Sequence, residues 1–461
     1  MINEEEKPTG FMGWLKESVT VKLVFIGLLI LVLLIPSSMI SNLIDERAER
    51  QQDVIKDISY NFAGNQLIKG PVLVIPYKLE VKETDQTGKA VYKEETDNLY
   101  IMPDNLAIKA GLKTETMHRG LFDAVVYKST VNIMGSFAKT DLASLGLTNE
   151  QLMPEKAIIT FSISDLKGLK TNPVFKLGSK NLAVSPGANG SSAFAGGLQV
   201  AADVSALKDG DLSFNYSLDL DGSDELSFLQ LGKTTDVQVT GDWNNPSFDG
   251  RSLPETRKVN DNSFSAHWRL LYYNSPFPQQ WTGEDTLLNS PARQQNATFG
   301  VKLRMPVDEY QKTTRTSKYA ILIILLTFIS LFLTELIRKQ RIHSFNYVLI
   351  GAAMIIYYTL LLSFSEQIGF NWAYLVASTA TITLVATFIA SLLKNKPAAL
   401  SFAGILSVFY LFIFVIIQLE DFALMAGSIA LFIIVALLMY FSRKINWDKN
   451  NEKLTEKSEF I

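Results

Sequence analysis

The chain has 461 residues, of which 48% are hydrophobic, and a formal net charge of −3 that provides no basic field for nucleic acid. It contains no cysteine, which excludes disulfides and thiolate metal sites. The mean hydropathy of +0.15 averages two textures, long apolar runs near the start and in the last third, and a polar middle.

In chain order, the first apolar run is 23–44. It exceeds the apolar core of a cleaved signal peptide, and Pro36-Ser37-Ser38-Met39 offers no small-x-small cleavage site, so an uncleaved signal anchor is expected. Asp45 to Ile58 is rich in helix formers, with Glu46 and Arg50 at i, i+4, and should continue the helix as a stalk. The texture then changes to short β-branched and aromatic runs bounded by Gly, Pro, Asn and Asp, at 71–77, 124–127, 157–163, 212–220, 235–240, 263–273 and 299–305. A hairpin is expected over 79–92 around Asp85-Gln86-Thr87-Gly88, and a loop at Pro186-Gly187-Ala188-Asn189-Gly190-Ser191-Ser192. This spacing predicts an all-β, sandwich-like domain or several packed antiparallel sheets.

Five more apolar stretches follow at 319–337, 345–365, 367–393, 397–419 and 422–442, each close to the roughly 20 residues a helix needs to cross a bilayer. Their connections are short, with a turn at Glu366, so the helices should be antiparallel neighbours in a bundle. Arg338, Lys339, Arg341, Lys394, Lys396, Arg443 and Lys444 fall in connections on the side of both termini, which carry Lys7, Lys16, Lys22, Lys449 and Lys453. The opposite connections hold Glu366, Glu420 and Asp421. Retention of basic loops in the cytoplasm therefore predicts a multi-pass protein of a bacterial cytoplasmic (inner) membrane with both termini inside. The expected organisation is a cytoplasmic N-terminus at 1–22, an anchor at 23–44, an extracytoplasmic (periplasmic) β-rich domain at 45–318, a five-helix transmembrane bundle at 319–442 and a cytoplasmic tail at 443–461.

Motifs for chemistry are sparse. The three histidines, His118, His267 and His343, show no paired metal-ligand spacing. Gly232-Lys233-Thr234 resembles the end of a phosphate loop, but the first glycine of that motif would fall at Ser227. Three Ser-x-x-Lys tetrads, at Ser136, Ser164 and Ser205, lack their companion motifs, and no Gly-x-Ser-x-Gly elbow exists. No catalytic, cofactor or metal residue is assigned. The candidate membrane polar residues are Glu335, near Arg338 and Arg341, and the outer group Glu366, Gln418, Glu420 and Asp421. The polar segment 306–318 lies between the last expected strand and the second span, and Asp308, Tyr310, Arg315 and Lys318 are its candidates for coupling domain to bundle.

Several blocks together resemble the bacterial inner membrane protein CreD family over most of the chain. They are Gln66 with Gly70-Pro71-Val72-Leu73-Val74-Ile75-Pro76-Tyr77, Arg119-Gly120-Leu121-Phe122 with Val126-Tyr127, Gly222-Ser223, Leu226-Ser227-Phe228, Gly232-Lys233-Thr234 and Trp243 with Pro246-Ser247-Phe248. Pro306-Val307-Asp308-Glu309-Tyr310-Gln311 with Arg315 and Lys318-Tyr319 continues into Leu326-Thr327-Phe328, Glu335, Leu361-Leu362-Ser363-Phe364-Ser365-Glu366, Gly369-Phe370, Ala373-Tyr374, Glu420-Asp421 and Gly427-Ser428. The chain departs from the family pattern at His343-Ser344-Phe345-Asn346-Tyr347 and at Gln367.

The resemblance implies a non-enzymatic protein of envelope integrity and stress response. Its expected partners are the lipid bilayer and envelope components or other membrane proteins, without cofactor or nucleic acid. The rival class is a transporter or channel for a small solute or ion, although one plus five spans do not form symmetric halves. An extracytoplasmic hydrolase lacks a nucleophile motif.

Overall fold

The structure, a computed structural model, describes residues 19–84, 90–187, 194, 197–283, 286–305, 309–338, 340–419 and 422–442. The chain divides into two compact units, Met1–Gln51 with Val307–Ile461, and Gln52–Pro306.

The first unit is helical. Helix α1, Val19–Phe62, begins there and passes Pro36 unbroken; its 44 residues measure about 66 Å at 1.5 Å per residue. Ile26, Leu29, Leu33, Ile40 and Ile44 are buried, whereas Leu28, Leu31, Val32, Ile35 and Met39 are exposed. In a membrane-embedded helix that division separates a bundle face from a lipid face. Next come α2, Glu309–Lys318, and α3, Ala320–Arg338, bent by 43° from one another. The remaining helices are α4, Ser344–Ile368, α5, Phe370–Leu393, α6, Lys396–Gln418, and α7, Ala423–Ser442. Among the described residues α1, α4, α5 and α6 are each long and apolar enough to cross a membrane, and α2 with α3 qualifies only as a bent pair.

One boundary differs from expectation. Glu366, read as a turn residue, lies inside α4, and the chain breaks at Gly369, whose positive φ of 76° glycine adopts without strain. The connection before α6 is set locally as well, because the Asn395 side chain accepts the Ala398 amide at 3.2 Å and Pro397 occupies the first turn.

The second unit is β-rich. Along the main path of its nine-stranded sheet run Pro246–Gly250, Thr298–Leu303, Glu225–Leu229, Gln66–Thr84, Ala157–Ile163, Leu198–Ala202 and Ser185–Pro186. Ala90–Ile101 pairs with the far part of Gln66–Thr84 and with Gln280–Thr282. The eight-stranded sheet runs Thr256–Asn260, Ser263–Leu271, Thr234–Gly241, Asn105–Arg119, Phe122–Phe137, Leu212–Ser223, Val174–Leu177 and Lys180–Ala183. Alternate residues point inward, as with Phe264, Ala266, Trp268 and Leu270, so each strand gives one apolar face. One core cluster draws on both sheets, taking Ile159, Phe161 and Val200 from the first and Ile133, Tyr216 and Trp268 from the second. The other face of the nine-stranded sheet is covered around Val72, Val74, Tyr100, Phe277 and Trp281. There Tyr100 and Trp281 stack at 5.0 Å, and two short helices, Thr286–Asn289 and Pro291–Ala297, contribute Leu288 and Ala297.

The expectation of antiparallel sheets needs correction. Gln66–Ile68 pairs parallel with Leu226–Phe228, and Asn105–Leu112 pairs parallel with Thr234–Gly241. Long intervening chain supplies the crossovers that such pairs require, and no local turn announces them. The flanks of the expected hairpin do pair antiparallel from Thr84↔Ala90 outward, while its turn residues 85–89 lie outside the described residues, as does most of the 186–192 loop.

Where Glu225–Leu229 pairs with Thr298–Leu303, a Cβ on Gly300 would lie 2.3 Å from the Leu226 carbonyl oxygen. Gly300→Ala should therefore destabilise the β unit by about 1–3 kcal/mol, the range for overpacking a tight interior. Near-UV CD melting of the detergent-solubilised protein reads this as a lower midpoint; an unchanged midpoint would show that the strands separate freely at this position.

Candidate functional site

Within the β unit, the last turns of α1 meet a set of sequence motifs far apart in the chain. Val54, Ile55, Ile58 and Phe62 pack with Met117, Ala124 and Val126, joining the helix to the hairpin of Asn105–Arg119 and Phe122–Phe137. Arg119 pairs with Asp57, and the Ser59 hydroxyl bonds the Ser223 hydroxyl. Ser223 also donates to the Ala63 carbonyl at 2.8 Å, and the Gly64 amide donates to Asp165 at 3.0 Å. The Gln66 amide group donates to the carbonyls of Asp165 and Asp221, each at 3.1 Å. These bonds satisfy the backbone where the helix turns into the first strand.

Tyr127 completes the junction. It stands opposite Gly222, and its phenol donates to the Glu225 carbonyl at 2.8 Å. A Cβ on Gly222 would meet the Tyr127 hydroxyl at 2.3 Å, so the glycine makes room for the ring. Burial raises the Tyr127 pKa well above its ordinary value, which keeps the phenol a donor.

In the helical unit, α2 forms a second constellation. Tyr310, Thr313, Thr316 and Ser317 are buried. The Tyr310 hydroxyl donates to Glu366 at 2.8 Å, and Glu309 accepts the backbone amide of Phe370 at the start of α5. Ser317 accepts a bond from Ser41 of α1 at 3.2 Å. Arg315 and Lys318 fall on another face, lining a cavity with Ala48 of α1, while Asp308 lies outside the described residues. Tyr310 and Glu366, singled out separately in the sequence, are thus direct partners inside this unit.

Glu335 sits toward the opposite end of the span, nearly buried, with Lys22 of α1 paired to one oxygen and the Tyr347 hydroxyl donating to the other at 3.0 Å. Lys22 also donates to the Ile342 carbonyl at 2.6 Å. Gln418, exposed, donates to Asn371 at 2.7 Å; Glu420 and Asp421 lie outside the described residues. Between the two levels, Tyr357 packs against Tyr358, Tyr374 and Tyr410 at ring separations of 4.8, 6.1 and 4.9 Å, and Tyr374 donates to the Tyr410 carbonyl at 2.6 Å.

The Gly-Lys-Thr segment proves to be a strand entrance. The Lys233 and Thr234 amides donate to the carbonyls of Pro103 and Asp104, and Lys233 Nζ lies 3.3 Å from Asp104. Those amides are committed to the sheet, not turned toward a phosphate. His118 and His267 each face a single aspartate, Asp123 and Asp236, and His343 caps α4. Among the described residues no three His, Cys, Asp or Glu side chains gather as metal ligands.

Sequence reasoning missed the Lys22–Glu335–Tyr347 group and the role of Ser59, because the partners are remote in the chain. For Lys22 and Glu335 the separation is 313 positions. Removing one member of a fully buried ion pair costs about 3–5 kcal/mol, but Lys22 is 19% exposed and can keep its ammonium near water. Glu335→Gln should therefore cost about 1–3 kcal/mol, and Lys22→Leu combined with Glu335→Leu should recover most of it. Thermal unfolding in detergent tests this; a double variant weaker than the single one would show that the pair itself stabilises the fold.

The family model described as inner membrane protein CreD matches residues 18–448. The inner membrane protein CreD of Escherichia coli (strain K12) is 29% identical over 420 residues, covering 91% of each chain. Among solved structures, an M1 zinc metallopeptidase from Deinococcus radiodurans aligns over 48% of this chain and 53% of its own at 9% identity, with a TM-score of 0.20, which supports no shared fold.

Proposed function

This chain belongs to the inner membrane protein CreD family, and from that premise we propose that it is a non-enzymatic membrane protein supporting envelope integrity or stress response. The β unit is its working part and the helical bundle its anchor. The observation that carries this reading is the sharing of α1, whose Val19–Gln51 belongs to the helical unit and whose Gln52–Phe62 belongs to the β unit.

We read six crossings, with α2 and α3 as one broken span and α7 as the last, and the two sheets as a sandwich facing the periplasm. Arg341, Lys394 and Lys396 in the connections on one side, against Glu366 on the other, support cytoplasmic termini. A single cysteine at Asn189 should react with an impermeant maleimide added to spheroplasts, and one at Asn450 should not. Labelling of Asn450 alone would invert the orientation.

The functional reading is tested in a strain whose own family member is deleted, challenged with detergent and osmotic shock. The full chain should restore survival, and a chain with residues 52–306 replaced by a Gly/Ser linker should not. Full rescue by that shortened chain would shift the activity to the bundle and favour the transporter class.

A further inference from the structure

At one edge of the β unit, the strand Pro246–Gly250 and the helix Pro291–Ala297 bring together polar side chains that the fold does not employ. Just past the strand, Arg251 and Ser252 line a cavity of about 380 Å³ with Tyr273, Asn274, Ser275 and Asn296. A second cavity, of about 430 Å³, is lined by Glu225, Asp249, Gly250, Gln294 and Gln295 among others. Gly250 and Arg251 are consecutive, as are Gln295 and Asn296, so the two cavities flank one ridge. Either is large enough for a small ligand, whose sites span roughly 300–1,000 Å³.

The frame around them is fixed by bonds that leave the lining side chains idle. The Trp268 indole donates to the Ser252 carbonyl at 3.1 Å, which ties that wall to the core. The Arg293 guanidinium donates to the Pro276 carbonyl at 2.5 Å, joining the segment after the turn Tyr272–Asn274 to the helix Pro291–Ala297. Gln294 is held at both ends of its amide, donating to the Leu288 carbonyl at 2.5 Å and accepting from Lys69 at 2.9 Å. At the ridge, Gly250 has a φ of 102°, and a Cβ there would lie 2.3 Å from the Thr298 carbonyl oxygen. The ridge therefore stays bare of side chain at that point. A site framed in advance loses little freedom on binding.

Within this frame, the side chains of Arg251, Asn274, Asn296 and Asp249 make no hydrogen bond or ion pair among the described residues. Asp249 and Arg251 are two positions apart and opposite in charge, yet they do not pair with one another. The Tyr273 ring is 86% accessible and rests against Tyr272 at 5.3 Å.

This lining discriminates between ligand classes. A ligand of one charge sign is drawn to one cavity and repelled by the other, since the first holds a guanidinium and the second holds two carboxylates. An apolar ligand would strip water from the amides without replacing its hydrogen bonds. A polyhydroxylated ring suits both cavities. Its hydroxyls donate to Asp249 and Glu225, accept from Arg251 and do both with the asparagine amides. Its C–H face, weakly positive, lies on the electron-rich face of an exposed aromatic ring.

We propose that the two cavities form an oligosaccharide-binding cleft, with one sugar ring stacked on Tyr273 and the chain continuing over the Gly250 ridge toward Asp249. This binding goes beyond the envelope role proposed above and depends on neither that role nor the orientation in the membrane.

The test uses the full-length protein in deuterated detergent, with saturation-transfer difference NMR and titration calorimetry. Cellotetraose, tetra-N-acetylchitotetraose and tetra-alanine are the probes. At least one saccharide should bind, with saturation strongest on the C–H protons of one sugar ring, and tetra-alanine should not. Tyr273→Ala should weaken binding about tenfold, whereas Tyr273→Phe, which keeps the ring face, should stay within about twofold of the parent. Asn296→Leu, at an exposed helix position, removes an amide and places an apolar group in the first cavity. It should weaken binding by about the same factor as Tyr273→Ala, with the unfolding midpoint unchanged in all three variants. Failure of both saccharides to bind would overturn the proposal, as would full affinity in Tyr273→Ala or in Asn296→Leu. Tetra-alanine that binds and displaces the saccharide would overturn the saccharide assignment.

Discussion

A chain leaving hydrocarbon for water must keep its backbone hydrogen bonds satisfied on both sides of the boundary, and α1 meets that demand by not stopping. Its ladder runs from Val19 to Phe62 through the change from apolar to charged sequence at Asp45. Because the helix ends in the β unit, its C-terminal carbonyls and the following turn must be satisfied there. That requirement accounts for the gathering of Ser59, Ala63, Gly64, Gln66, Asp165, Asp221 and Ser223 in one place. Residues far apart in the sequence meet at this end of the helix, Arg119 at the Asp57 carboxylate, Val126 beside Ile58, and Ser223 at the Ser59 hydroxyl and the Ala63 carbonyl.

The helical unit applies the same economy of polar groups. Three of its carboxylates, Glu309, Glu335 and Glu366, sit near helix ends, where Glu309 receives a backbone amide that would otherwise be an orphan at the start of α5, and Glu335 holds both a lysine and a tyrosine. The tyrosine group around Tyr357 fills the level between with aromatic edges, giving close packing where lipid-like side chains alone provide no hydrophobic drive.

Much of this was legible from local pattern. The run 157–163 is a strand with those bounds, and the apolar stretches became helices, because in both cases a few adjacent residues decide the outcome. Asn105–Arg119 escaped notice although Leu106, Ile108, Ala110 and Leu112 alternate with exposed or half-buried partners; Ala107, Lys109 and Gly111 between them dilute the β-branched signal. The parallel pairs and the Lys22–Glu335 contact were not legible, since each joins positions whose proximity only the complete fold creates. Within Glu309–Lys318, local pattern gave no sign that Tyr310 bonds Glu366 or that Arg315 and Lys318 border a cavity with Ala48.

The strand Gln66–Thr84 follows α1 directly and is the hub of the nine-stranded sheet, pairing with Ala90–Ile101, Ala157–Ile163 and Leu226–Phe228. Synthesis delivers these partners in that order, and Ala157–Ile163, which pairs with the second edge of Val72–Val74, follows that run by about 85 residues. At roughly 5–20 residues per second, the nascent strand keeps an open edge for on the order of ten seconds. During that interval its apolar run Val72-Leu73-Val74-Ile75 is a template for other chains. The early hairpin with Ala90–Ile101 closes one side of this edge before the risk accumulates, and its exposed arms bristle with lysine and glutamate at Lys78, Glu80, Lys93 and Glu94. The order of elements along the chain thus acts as a guard on its own assembly, shielding the central strand during the long wait for the partners that make it stable.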